Sequence, residues 1–186
     1  MNRVATTAIA FAVGGLAALL LYLMPWSQRA APVAVTPHHA VWTEIKWPFL
    51  MDQWGEGKAY QCSASDCGVE LNLYIRPKIG FCSATVGVAD DNELERLSDF
   101  EFMKGAGAAR GAGHEINVAW MKGRLRAYGP DPAHTTALSI AYNNDSDALV
   151  ATVVLNEAQP DGVEPAIIDF LNGEPMLRWV KSTLGL

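Results

Sequence analysis

The sequence predicts an α+β fold: a mostly antiparallel meander sheet with helices on one face, preceded by one N-terminal transmembrane helix. Three observations predict it. From Val41 onward, short segments alternate apolar and polar residues with the period of two that marks a half-buried strand. Residues 90–102 and 164–184 switch to helical spacing. Residues 4–24 form an apolar run of 21 residues without a charge, the length a helix needs to cross about 30 Å of hydrocarbon.

The apolar run reads as a retained single-pass anchor. A cleaved signal has a core of about 7–15 residues and a small-x-small junction. Here, cutting after Ala30 places Gln28 three positions back, and cutting after Ala31 places Arg29 there. Tyr22 and Trp26 sit where aromatic side chains favour the membrane–water boundary. Arg3 and the amino terminus then stay inside and the rest of the chain is exported. In a bacterium this is an inner-membrane protein whose domain faces the periplasm; signal cleavage, giving a secreted periplasmic protein, is the alternative. The expected organisation is an anchor over residues 1–26, a Pro/Ala-rich linker over 27–40 and an exported α+β domain over 41–186.

Within the domain, residues 41–47 alternate and stop at Pro48, as an edge strand does. Residues 58–62 form a second candidate strand. Residues 69–76 put Val69, Leu71, Leu73 and Ile75 on one face and Glu70, Asn72, Tyr74 and Arg76 on the other. Pro77-Lys78 is expected to turn the chain into a further short strand, 79–82. Asp90, Asp91, Glu93 and Glu95 crowd the front of the next segment, where carboxylates complement a helix dipole. Residues 105–113 are a Gly/Ala loop. A hairpin over 116–128 is expected to turn near Lys122-Gly123, with Ile116, Val118 and Trp120 on one face. Residues 136–142 and 148–155 pair around Asn143-Asn144-Asp145, and 148–155, apolar on both faces, belongs in the middle of the sheet. The C-terminal helical stretch is interrupted near Gly173-Glu174-Pro175, where Pro175 suits a helix's first position.

The formal net charge is −6, and with Arg3 and Arg29 set aside the exported part carries −8. A domain this acidic is repelled by nucleic acid and by anionic headgroups, so no nucleic-acid partner is expected. The lipid bilayer is engaged through residues 4–24 alone.

Cys62, Cys67 and Cys82 lie on the exported side, where disulfides persist, and their odd number leaves one thiol over. If residues 58–62 and 79–82 flank 69–75 on opposite sides, Cys62 and Cys82 stand about 10 Å apart, too far to bridge. Cys62–Cys67 is therefore the expected pair, with Cys67–Cys82 the alternative. A soft-metal site formed by Cys62, Cys67, Cys82 and His114 is a further reading, although the spacing fits no zinc signature.

The run CGVELNLYIRPKIGFCSATVGVADDNELERLSDF, with WTEIKWPF before it and VAWMKGRLRAYG after it, resembles a group of uncharacterised exported, membrane-anchored proteins of alphaproteobacteria. The resemblance covers most of residues 41–155 and implies no activity. Members of that group often carry a fourth cysteine two places after the position of Cys82, where this chain has Ala84; the resemblance thus implies a two-bridge framework reduced to one.

No catalytic constellation emerges. Gly105–Gly113 lacks the strand context of a phosphate loop, His114-Glu115 lacks a His-Glu-x-x-His frame, and there is no Gly-x-Ser-x-Gly elbow. No cofactor is implied. Lys122, Arg124 and Arg126 alternate along one strand and share a face, a small basic patch suited to an acidic partner. Trp42 and Trp47 read as core; Trp54, beside Gly55 and Gly57, reads as an exposed contact residue. The expected function is that of a membrane-tethered periplasmic binding or assembly-accessory domain acting on a membrane or periplasmic protein. The alternative is a periplasmic metal-binding or thiol-redox protein using Cys62, Cys67 and Cys82.

Overall fold

The computed structural model describes residues 40–81, 87–103, 106–129, 136–155 and 162–186. The expectations for the anchor, the linker and Cys82 lie outside the described residues. Among the described residues no helix is long and apolar enough to cross a membrane.

The elements run β1 (Trp42–Ile45), β2 (Lys58–Cys62), a one-turn helix α1 (Ala64–Cys67), β3 (Leu71–Lys78), α2 (Asp91–Leu97), a 3-10 turn (Phe100–Phe102), β4 (His114–Val118), β5 (Met121–Tyr128), β6 (Thr136–Asn144), β7 (Asp147–Leu155), α3 (Glu164–Leu171) and α4 (Glu174–Leu184). The strands form one seven-stranded antiparallel sheet in the order β1-β2-β3-β7-β6-β5-β4. It consists of two meanders sewn together where β3 pairs with β7, from Leu71 opposite Leu155 to Lys78 opposite Ala148. The α+β class and the antiparallel sheet are as the patterning predicts, and β7 lies at its centre.

The helices cover both faces, which corrects the expectation of helices on one face. Leu73, Ile140, Val153 and their neighbours point toward α3 and α4 and pack with Ile167, Leu171, Met176 and Val180. Ala141, Ala148 and Val150 point the other way and pack with Leu94 and Leu97 of α2. The physical reason lies in β6 and β7, buried along almost their whole length. A strand apolar on both sides needs cover on both sides.

Two local expectations are corrected as well. Pro77-Lys78 does not turn; β3 runs through it, and the turn comes at residues 79–80. The ladder with β2 ends at Ile75, opposite Lys58, so beyond it β3 has a side with no partner strand. A proline nitrogen facing that side removes no ladder bond. The β4–β5 hairpin turns at Ala119-Trp120 rather than at Lys122-Gly123. Ala119 takes a φ of 52°, and its N–H donates to Asn172 Oδ1 at 2.7 Å. Gly123 instead sits inside β5 against Tyr142, where an added Cβ would meet Ala141 O at 2.3 Å and Tyr142 Cβ at 2.6 Å.

The register also defines two ends. The chain joins the sheet at the end holding Trp42, Cys62, Leu71 and Leu155. The far end gathers the 46–57 loop, the turn after β3, the β6–β7 turn at Asp145 and the β4–β5 turn at Trp120.

Gly123→Ala is expected to lower stability by about 1–3 kcal/mol, the range for overpacking a filled interior. Urea unfolding followed by circular dichroism measures it, with Gly68→Ala, where an added Cβ meets open space, as the reference for the cost of a positive φ alone.

Candidate functional site

Cys62 and Cys67 form a disulfide across α1, five positions apart. Ser63 O accepts the Cys67 amide at 2.9 Å, so the one-turn helix closes the loop that the bridge then fixes. Chain-entropy arguments give so short a loop about 2 kcal/mol of stabilisation. With these sulfurs bonded to each other, they are not thiolates available to a metal. His114 is no partner to them either: it lies on β4, five strand steps from β2, or about 24 Å. Among the described residues no three His, Cys, Asp or Glu side chains gather as a metal site requires.

His114 instead hydrogen-bonds Glu164 at the start of α3, Nε2 to Oε1 at 2.7 Å. The pair stands beside a cavity of about 160 Å³ that Arg110, Ala112, Leu125 and Arg126 also line. Among the described residues that line it there is no serine, threonine or cysteine.

Of the predicted basic patch, Lys122 is exposed while Arg124 and Arg126 are engaged under α2. Arg124 Nε donates to Asp91, and its Nη2 donates to Gly113 O at 2.7 Å. Arg126 Nη1 donates to Glu95 at 2.6 Å and its Nε to Gly111 O at 2.9 Å. The crowded carboxylates of residues 90–95 thus have two tasks. Asp90 caps α2 by accepting the Glu93 amide at 2.9 Å, and Asp91 and Glu95 meet the β5 arginines. Arg124, seconded by the Gly113 amide, holds the Asp91 carboxyl below its ordinary value.

A second ionic assembly lies at the other end of α2. Arg76, 2% exposed, donates from Nε and Nη2 to the two oxygens of Asp99 at 2.8 and 2.6 Å. Its Nη1 reaches Asp52 at 2.7 Å, and its guanidinium stands 4.7 Å from the Phe102 ring centre. Lys78 joins Asp99 at 2.7 Å and donates to Leu97 O at 2.6 Å, a cation at the C-terminal carbonyls of α2. Burial opposes ionisation of Asp52, yet the Trp54 amide and Arg76 together hold its carboxyl below the ordinary value. Trp54 is half-buried over this assembly, its ring 5.5 Å from Lys78 Nζ and 5.4 Å from the Phe81 ring. The structure therefore places Trp54 and the β5 arginines at opposite ends of α2 rather than in one patch.

Patterning missed the most exposed apolar side chains. Leu50 is 94% exposed, Met51 71% and Ile79 52%, all at the far end with the 46% exposed Trp120 of the hairpin turn; Val41, Phe100 and Leu186 are exposed singly elsewhere. The available signal was Phe49-Leu50-Met51, three large apolar residues between Pro48 and Asp52 where a loop is ordinarily polar. Comparison of the chain with protein-family models, with curated proteins and with solved structures finds no match.

Asp99→Asn leaves Arg76 and Lys78 buried without their shared countercharge and is expected to cost about 3–5 kcal/mol. Glu101→Gln, at a 60% exposed side chain 3.3 Å from Arg76, is expected to stay within about 0.5 kcal/mol by the same urea assay. Acid stability follows from Asp91 and Asp52. Both have folded values below the unfolded 3.8, so their contribution is complete above that value and is lost as pH falls through the folded values. Chemical denaturation between pH 5 and pH 2.5 is expected to show falling stability, with a shallower fall in Asp91→Asn.

Proposed function

We propose that this chain is a membrane-tethered, exported binding domain that engages a membrane or periplasmic protein and performs no chemistry of its own. The observation that carries the reading is a division of labour in the described residues. Arg76, Lys78, Arg124 and Arg126 are committed to carboxylates of the same domain, while four of the exposed large apolar side chains, Leu50, Met51, Ile79 and Trp120, gather at one end of the sheet. Exposed apolar groups on rigid loops are the material of an interface. The apolar run of residues 4–24 supports the tether, and the Cys62–Cys67 bridge fits an oxidising compartment. The resemblance to exported alphaproteobacterial proteins points the same way.

Fractionation and thiol counting test this reading. The full chain is expected in the membrane fraction after carbonate washing, digestible by protease added to spheroplasts. One thiol per chain is expected to react with maleimide after denaturation without reductant. A chain recovered from the cytosol with three reactive thiols would contradict it.

A further inference from the structure

We propose that Leu50, Met51 and Ile79 form the docking knob of this domain, and that its occupant is a protein segment carrying apolar side chains between lysines or arginines. The proposal rests on the binding-domain reading above and names the surface and the chemistry of the partner.

The knob is built rather than floppy. Phe49 stacks on Phe102 with ring centres 3.8 Å apart and meets Tyr74 edge-on at 4.8 Å, so the residue before Leu50 is anchored in the aromatic cluster. On the other side, Asp52 accepts Arg76 at 2.7 Å and the Trp54 amide at 2.8 Å. Gly57 passes so close to β3 that an added Cβ would sit 2.3 Å from Ile75 O. Leu50 and Met51 project between these fixed points. Ile79 follows Lys78, which stands under Trp54, so the turn after β3 meets the same loop. A loop backbone anchored this way loses little freedom on binding, which is where preorganisation gains affinity.

The surroundings select the occupant. Glu56 and Glu101 are exposed around the knob and Asp147 accepts the Gly80 amide beside Ile79, while Lys46 and Arg96, the latter over the Phe81 ring, are the exposed cations. The buried cations Arg76 and Lys78 are matched by Asp99 and Asp52. What remains at the surface is three carboxylates against two cations, a small acidic excess on a domain already acidic overall. It repels anionic headgroups and also a second copy, whose identical knob would face it in a two-fold contact. The knob also lies across the sheet from the end where the chain joins it, about 27 Å away along β3. A basic, apolar protein segment answers both the shape and the sign.

The test uses the full chain in its native cell, with a photo-crosslinking residue in place of Met51 and, as a control, in place of the exposed Ser182 on α4. A discrete protein adduct is expected from position 51 and not from position 182, and its contact peptide is expected to carry Lys or Arg beside apolar residues. Leu50→Ser or Glu56→Lys is expected to lower the adduct yield about 10-fold, the effect of ~1.4 kcal/mol, while Lys46→Gln does not lower it. Adducts with lipid, with a second copy or with residues 1–39 of the same chain would overturn the proposal. So would the absence of an adduct, or a protein adduct indifferent to Leu50→Ser and Glu56→Lys. Fractionating the same cells separates the two readings: a soluble chain that keeps its adduct loses the tether and retains the docking surface, and a membrane-bound chain without one does the reverse.

Discussion

Arg76 is an odd residue to find at the centre of a fold. It occupies the face of β3 that patterning marks as polar, yet it is buried and committed with both edges of its guanidinium to Asp99 and Asp52. Through these contacts one side chain ties together three parts of the chain distant in sequence: the 46–57 loop, β3 and the 98–103 segment. A buried ion pair of this kind is a weak source of net stability, because desolvating the charges offsets most of their attraction. What it supplies is uniqueness. This packing pairs both buried cations, and through Asp52 it ties down the loop that presents Leu50 and Met51.

The two faces of the sheet are built on different principles. The face under α3 and α4 is closed by aliphatic packing, in which Leu71, Leu73, Ile140 and Val153 meet Ile167, Leu171 and Val180. The face under α2 has a smaller apolar patch, Leu94 and Leu97 on Ala141, Ala148 and Val150, and ionic fastenings at both ends of the helix. Asp91 takes the β5 arginines at its start and Lys78 takes Leu97 O at its end, each charge of the sign that the helix terminus favours. A seven-residue helix has little intrinsic stability, so these fastenings are what hold it across the strands. Acid is expected to loosen this face before the other.

Much of this was legible in the sequence, for identifiable reasons. β3 was found from its alternation, β7 from its two-sided apolarity and α2 from Asp90 and the acidic first turn. The Cys62–Cys67 bridge was preferred on distance, although the distance argument used a strand over 79–82, and residues 79–81 are a turn and its exit rather than strand. What was not legible depends on pairing across the chain. Pro77 reads as a turn until one knows that β2 ends opposite Ile75. Gly123 reads as a turn until Tyr142 is placed against it, and Ala119 shows no glycine signal because Asn172, fifty-three residues on, holds its amide. Helices on both faces could have been inferred from β6 and β7 taken together. The ionic site could not: Arg76, Asp99 and Asp52 are unremarkable apart and meaningful only in contact.

The central claim is that the buried Arg76–Asp99–Lys78 assembly makes the 46–57 loop and the 98–103 segment one cooperative unit with β3. Native-state hydrogen exchange on the full chain tests it directly. The amides of Gly55, Phe102 and Met103, all hydrogen-bonded within these segments, are predicted to open together with β3 amides such as Leu73, with matching dependence on denaturant. Exchange of Gly55, Phe102 and Met103 orders of magnitude faster than that of β3, with no dependence on denaturant, would contradict it.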